Sequence, residues 1–505
     1  MTAPATLPAR PWLRLFAPSF GLVAILSILW ALATPVFASP DENAHAVKAI
    51  GQVRGQVFGE VREEGQPPAY DLPEGYRYHP QIVCFAFQPT VPASCGVELG
   101  VEYGTDWFGS WVSAYNPVYY YVVGWPTLFL DGSSGVYGMR IVGALLGSLL
   151  IALAFVAALS GARRRWLPLG LAFLATPMVL FLNGSVNPQA TEFAAGALLL
   201  VALLRLVERF DIPQGPGLSR NALWVLVVIG ASSLALGRAI GPLWVVLVVA
   251  GALTVAGWRS SVAIFRTRAS YLPMGVIAVV GVAALAWTAF TGIFASQAAE
   301  SDAPLVGQGF VAGAWAMLRL TPRFVQEAAG DFGWLDTDLP TMAYAVFFGV
   351  LTLLLVLALV APARRDRIAV AGALGASVLI PVVVQAAQVS RTGIIWQGRY
   401  SLVLYLAVVL IAAWALSRSG ERIDAISTGV TAIGVSLLGL YGVAAFVIAL
   451  HRYVVGSEGT VGRMLAAPDW QPPGSWPVLV ALFAATMALF SWWLVALARR
   501  AASDR

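Results

Sequence analysis

The residues best suited to chemistry are Asp41, Glu42, His45 and Lys48. They crowd into Ser39-Pro40-Asp41-Glu42-Asn43-Ala44-His45-Ala46-Val47-Lys48, directly after the first long apolar run. Two carboxylates at the mouth of a span could work at the boundary between membrane and water. On a helix, Asp41, His45 and Lys48 share one face at i, i+4 and i+7. That face would combine a general base, an orienting imidazole and a cation for an anionic substrate. A plainer reading is structural: Ser39, Pro40 and Glu42 fit an N-cap, an N1 proline and the acid of a capping box, with Asp41 complementing the helix dipole. Asp41 and His45 could also begin a divalent-metal site, though no third ligand is near in the sequence.

A second set of residues could hold an anion. Arg399 stands beside Tyr400 at the mouth of another apolar run, Arg391 lies in the same short loop, and Arg238 marks a third mouth. A guanidinium fork matches phosphate oxygens, and arginines at membrane depth are seldom incidental. Each could instead snorkel toward the headgroups. Trp334 with Asp331, Asp336 and Asp338 offers an aromatic face ringed by carboxylates, the usual make-up of a sugar site; the alternative is a Gly-punctuated turn with Trp334 as interface anchor. Tyr115, Tyr119, Tyr120 and Trp125 read as belt aromatics. Glu192 falls inside an apolar run, which implies a partner or a cavity, and Asn187-Pro188-Gln189 just before it suggests a polar opening. His79 and His451 are isolated.

The elements that must position these groups are membrane spans. Of 505 residues, 59% are hydrophobic and only 11% charged, too apolar for a soluble globule. The runs are unbroken rather than alternating, so the fold class is an all-α polytopic membrane protein and not a barrel. Twelve spans are expected near 17–37, 141–160, 166–182, 188–206, 222–238, 241–257, 271–293, 340–361, 368–388, 400–417, 426–450 and 475–498. The shorter Pro-broken stretch 116–131 reads as a helix or hairpin in the outer interface. Alternating the spans puts Arg10, Arg14, Arg163, Arg164, Arg165, Arg205, Arg209, Arg220, Arg259, Arg266, Arg268, Arg364, Arg365, Arg367, Arg418, Arg422, Arg499 and Arg500 on one side. The positive-inside rule makes that side, and both termini, cytoplasmic.

The whole chain, 1–505, then forms one transmembrane domain with two long external loops, 38–115 carrying interface helices and 294–339. These loops hold sixteen of the twenty-six acids and six of the thirty-one basic residues. Arg10, Arg14 and Val36-Phe37-Ala38 resemble a secretory signal, but Pro40 follows too closely to favour cleavage, so the first span is read as retained. Cys84 and Cys95 share the first loop and could pair in an oxidising compartment or remain two thiols. The net charge of +5 is spread over short loops and is no nucleic-acid footprint. No P-loop is present, which argues against an ATP-driven pump.

A first span followed at once by Pro-Asp-Glu-x-x-His resembles the DUF2142 family of predicted membrane proteins. The resemblance continues in Tyr115-Asn116-Pro117-Val118-Tyr119-Tyr120, in Pro177 through Asn187-Pro188, in Gly333-Trp334-Leu335-Asp336-Thr337 and in Gln397-Gly398-Arg399-Tyr400. That family in turn looks like part of the GT-C glycosyltransferase superfamily, multi-span enzymes that use a polyprenyl-phosphate-linked sugar as donor. By that resemblance Asp41 is the leading base, with Glu42 second. His45, Lys48, Arg399, Tyr400, Arg391, Arg238, Trp334 and Asp336 are candidate substrate-binding residues. The implied partners are the lipid-linked donor, membrane lipids and a glycan, lipid or protein acceptor, in a bacterial cytoplasmic membrane. A divalent metal is compatible with such enzymes. The competing expectations are a lipid-linked sugar flippase or secondary transporter, and a non-catalytic partner in envelope assembly.

Overall fold

The structure, a computed structural model, describes residues 12–100, 104–162, 164–212, 217–293 and 303–503. Arg10 and Arg163 of the basic set lie outside the described residues. Among those described, ten helices are long and apolar enough to cross a membrane. They are α1 (Leu13–Ala33), α4 (Gly132–Leu159), α7 (Gln189–Asp211), α8 (Arg220–Gly237), α11 (Arg268–Thr291), α13 (Thr341–Val360), α14 (Arg364–Thr392), α15 (Leu402–Leu416, extended by a 3-10 turn from Gly398), α16 (Glu421–Val455) and α18 (Trp476–Ser503).

Two of the twelve expected spans take other forms. The stretch 166–182 is broken into α5 (Leu167–Ala172), a 3-10 turn and α6 (Pro177–Asn183). Pro177 has no N–H to continue α5 and drives Thr176 to an extended ψ of 156°. The break is tolerated because residues 167–187 are buried in protein throughout, where irregular backbone at membrane depth is sheltered. The second, α9 (Gly241–Ala256), has 16 residues, about 24 Å of helix. At the centre runs α7, buried on every side, as an all-round apolar helix should be. The arginine-rich connections meet at one end of the bundle, where Arg165 pairs with Asp424 at 3.2 Å and Arg418 with Asp366 at 3.4 Å.

The opposite end is capped by the two long connections. The first contributes α2 (Glu42–Val53), α3 (Val118–Gly124) and an antiparallel pair, β1 (Ala69–Pro73) with β2 (Thr105–Gly109), in register from Ala69 opposite Gly109 to Pro73 opposite Thr105. Cys84 and Cys95 are joined as a disulfide. The cap has its own core, built on Phe37, Tyr70, Tyr76, Phe85, Tyr120 and Tyr453. The second connection is more than a loop. It carries α12 (Phe310–Gly330), followed by a small hairpin of β3 (Asp331–Phe332) and β4 (Thr337–Asp338). Val311, Trp315 and Leu318 lie exposed at helical spacing on α12, while Met317, Phe324 and Ala328 are buried, the two-faced pattern of an interfacial helix. Two short helices, α10 (Trp258–Phe265) and α17 (Val461–Ala466), complete the α-helices among the described residues.

Candidate functional site

The site begins where α1 stops. Arg140 on α4, wholly buried, donates to the carbonyls of Ala31, Thr34 and Pro35 at 2.8, 2.6 and 2.7 Å, and so satisfies backbone acceptors that the end of α1 leaves open. Its remaining N–H groups grip both oxygens of Glu42 at 2.7 and 2.6 Å, and Val186 N–H adds a third bond at 2.9 Å. Glu42, the second candidate for catalysis, therefore has no exposed oxygen to offer. Nor does the expected capping box form. Arg140 draws the Glu42 carboxylate inward, and the N-cap is Asp41 rather than Ser39.

Asp41 adopts a left-handed backbone, φ 64° and ψ 1°, which aspartate tolerates better than most side chains. This turns its carboxylate away from α2 and toward Arg399. Arg399 Nη2 donates to Asp41 Oδ2 at 2.5 Å, Nη1 to Pro40 O at 3.2 Å, and Nε to Gln397 Oε1 at 2.7 Å. Arg399 is 2% exposed and Asp41 29%, so the outer carboxylate oxygen faces open space and has no protein partner among the described residues. Burial alone would raise the Asp41 carboxyl, but attraction to Arg399 and His45 outweighs it and holds the pKa below its usual value. Gly398 and Glu327 set the height of Arg399. A β-carbon at Gly398 would collide with the Phe324 carbonyl on α12, and Gly398 N–H donates to the buried Glu327 carboxylate at 2.8 Å.

His45 and Lys48 stand one turn apart on α2 but are buried and out of reach of a ligand in the mouth. His45 Nδ1 meets Tyr120 Oη at 2.8 Å. Burial, despite the opposing attraction of Asp41, depresses its pKa to about 3. Lys48 donates to Ser113 O at 2.5 Å and lies 5.1 Å from the Tyr120 ring centre; burial lowers its pKa to about 7. Asp41 at the N-cap stands just outside the helix, so the three do not form the single catalytic face that spacing suggested.

Arg238 is the cation that lines open space. With Tyr115, Tyr400, Trp396, Gln385, Gln388 and Thr392 it borders a cavity of about 120 Å³ beside the Asp41–Arg399 pair. Its guanidinium sits 4.7 Å from the Tyr400 ring centre, 3.5 Å from Tyr115 Oη and 3.7 Å from Glu192. The Tyr400 ring thus lies against both cations, Arg399 being 5.2 Å from its centre. Glu192 finds in Arg238 the partner that its burial required. Arg391 is exposed in the last turn of α14 and does not border this cavity.

Trp334 and Asp336 lie in the β3–β4 turn. Trp334 Nε1 donates to Phe37 O at 3.1 Å. Asp336 accepts from Arg452 Nη2 at 3.0 Å, from Phe87 N–H at 2.9 Å and from Thr337 Oγ1 at 3.0 Å, so its carboxylate is occupied. Among the described residues no three His, Cys, Asp or Glu side chains gather to hold a metal; Asp41 faces Arg399 while His45 Nδ1 faces Tyr120, and this donor set does not fit a divalent ion. Reading the sequence missed Arg140, Glu327, Gln385, Gln388, Phe87 and Arg452. Arg140 and Glu327 gave a faint signal, as charges in otherwise apolar or small-residue helical stretches.

These features define a polytopic all-α membrane protein whose polar site lies at one end of the bundle under a disulfide-bonded cap. The sequence profile described as "Predicted membrane protein (DUF2142)" matches residues 24–408, and the chain belongs to that family. Among solved structures it is similar to ArnT from Cupriavidus metallidurans in the apo state, at 17% identity and a TM-score of 0.43, covering 98% of this chain and 78% of that one. No curated protein matches the chain.

Proposed function

We propose that this protein is a glycosyltransferase of the external face of a bacterial cytoplasmic membrane, using a polyprenyl-phosphate-linked sugar to build or modify an envelope glycan. The observation that carries the reading is Asp41, kept ionised by Arg399 and exposing one oxygen beside an arginine-lined cavity. In the proposed step an acceptor hydroxyl attacks the anomeric carbon, and its proton passes to Asp41. The bond between that carbon and the lipid phosphate oxygen breaks, and the lipid phosphate leaves with the electron pair. Inversion at the sugar follows from a single displacement.

Roles divide between the two arginines. Arg399 is committed to Asp41, Pro40 and Gln397, so it orients the base; Arg238, bordering the cavity, is the better phosphate ligand. Tyr400 packs against both cations. Glu42, His45 and Lys48 are assigned to holding α2 and its N-terminus in place. For the lipid tail, a groove of about 750 Å³ runs between α9, α14 and α15. It is walled by Gly251, Gly372, Ala369, Ala373, Ala376 and Ala407, and it uses the same α9 and α14 that border the polar cavity a few turns away. Termini on the cytoplasmic side follow from the arginine-rich end of the bundle.

The test compares envelope glycans of cells making wild type or Asp41→Asn at equal membrane abundance. Asparagine accepts the left-handed backbone of position 41, so the variant should fold. Transfer should fall on the order of 10²- to 10⁴-fold, as for loss of a general base. An unaltered profile, with deletion of the whole protein altering it, removes Asp41 as base and favours an assembly or transport role.

A further inference from the structure

Among the described residues, six non-glycine positions have a left-handed backbone: Phe37, Asp41, Phe87, Leu305, Leu335 and Ser475. Three of the six, Phe37, Phe87 and Leu335, meet at one place. Phe37, four residues before Asp41, accepts the Trp334 indole N–H at 3.1 Å. Phe87 donates its backbone N–H to Asp336 at 2.9 Å, and its ring centre lies 5.6 Å from that of Trp334. Leu335 sits between Trp334 and Asp336. Bulky residues in this conformation are strained, and such strain persists only where surroundings enforce it.

The enforcement is visible. Arg452, wholly buried, donates to the carbonyls of Phe85 at 2.7 Å, Val91 at 2.9 Å and Gln88 at 3.3 Å, and to Asp336 at 3.0 Å. The Cys84–Cys95 disulfide closes the same loop. What this cage presents is the Phe87 side chain, 70% exposed. Burial returns little to this phenylalanine, so folding alone gives no reason for a strained backbone that displays it. A rigid, exposed aromatic residue beside a second one is suited to recognition, since it loses little entropy when a ligand docks. Polar groups of the pair are already used: the Trp334 N–H by Phe37 and the Phe87 N–H by Asp336. Ring faces remain, and the rim of the exposed Phe87 ring is open to solvent. A ligand with an apolar face of C–H groups and hydroxyls around its rim fits that combination, which is the chemistry of a sugar ring.

We propose that Phe87 and Trp334 form the platform on which a sugar of the acceptor glycan stacks, with Asp336 as a positioning residue that fixes Phe87. This rests on the reading of Asp41 as the base, and assigns that reaction a carbohydrate acceptor.

The deciding variant is Phe87→Gly. Glycine relieves the left-handed backbone, so a merely structural Phe87 predicts unchanged or higher thermal stability with unchanged binding. The probe is the mixture of oligosaccharides released from the envelope of a deletion strain, titrated into full-length protein in phospholipid nanodiscs. Wild type and Asp41→Asn should bind alike, Phe87→Gly on the order of tenfold more weakly, and Phe87→Trp near wild type. In transfer assays the loss in Phe87→Gly should fall on acceptor KM and spare donor KM. Asp336→Asn should show the same KM shift together with faster exchange of the Phe87 amide proton. No binding by wild type, or equal binding by Phe87→Gly, overturns the proposal. If Phe87→Gly instead loses only association with lipid, the ring is a membrane anchor and the proposal likewise fails. Transfer surviving in Asp41→Asn with the glycan still bound to Phe87 would sink the assigned base while leaving the platform standing.

Discussion

Adjacent acids at the mouth of α1 do opposite things, and their neighbours decide which. Glu42 is met by a guanidinium that is itself fully buried, so its charge is compensated and its oxygens are spent. Removing one partner of such a pair leaves a bare buried charge, which costs about 3–5 kcal/mol. Glu42→Ala should therefore lower the unfolding midpoint and membrane abundance sharply, whereas Asp41→Asn, whose amide oxygen still accepts from Arg399 and whose site is part-exposed, should lower them far less. Equal stability of the two variants would contradict the division of labour. His45 adds a pH signature. Its imidazole titrates near 6.5 when unfolded and about 3 when folded. Between those values the unfolded chain binds a proton that the folded one refuses, so the contribution to stability is complete above pH 6.5 and is lost as pH falls toward 3. The fall in thermal midpoint from pH 6.5 to 4 should be shallower in His45→Phe than in wild type. The sequence announced the Asp41 cluster by composition and position. It was silent on the partners, because Arg140, Arg399 and Tyr120 are remote in the chain and reach α2 only through the packing of α4, α15 and α3.

At the scale of elements, the least legible part was α12. Its apolar residues split between an exposed and a buried face, so it lacks the unbroken run that marks a span. Pro322 and its charges also gave it the look of a loop. Yet α12 sets the site: Gly398 packs on its backbone and bonds to Glu327, and Arg399 follows directly. Gly398→Ala would force a β-carbon into α12, and overpacking of this kind costs about 1–3 kcal/mol. The larger expected effect is on the reaction, since Arg399 must shift and Asp41 loses its ion-pair partner. Transfer rate should fall more than stability does, and the Asp41 carboxyl, freed from Arg399, should titrate upward, moving the acid limb of the pH–rate profile to higher pH. A profile that keeps its shape would show that Gly398 is a packing residue alone. The broken α5–α6 pair teaches the converse lesson. Hydropathy read it as one span, and only Pro177 hinted that a buried break was affordable there.

For the molecule as a whole, the alternation of arginine-rich and acid-rich connections was readable from sequence because lipid enforces it, and the converging ion pairs at one end agree with it. Which end faces the cell exterior is a proposal that the disulfide makes testable. A bond between Cys84 and Cys95 persists in an oxidising compartment, and both cysteines sit in the cap above Asp41. In intact cells a membrane-impermeant maleimide should label the chain only after reduction, with no label in Cys84→Ser/Cys95→Ser. A fluorescent protein that matures only in the cytoplasm should glow when fused after Arg505. The loop between the cysteines is short, and breaking it should cost about 3 kcal/mol by chain entropy. The cost should fall on the Arg452 cage rather than on the bundle. Reduced protein should then keep its helical content while exchanging the amide protons of residues 85–91 faster. Labelling that needs permeabilised cells would place the cap on the cytoplasmic side, and an external acceptor would then be out of reach of Asp41; labelling of intact cells without reduction would instead show external free thiols and remove the disulfide.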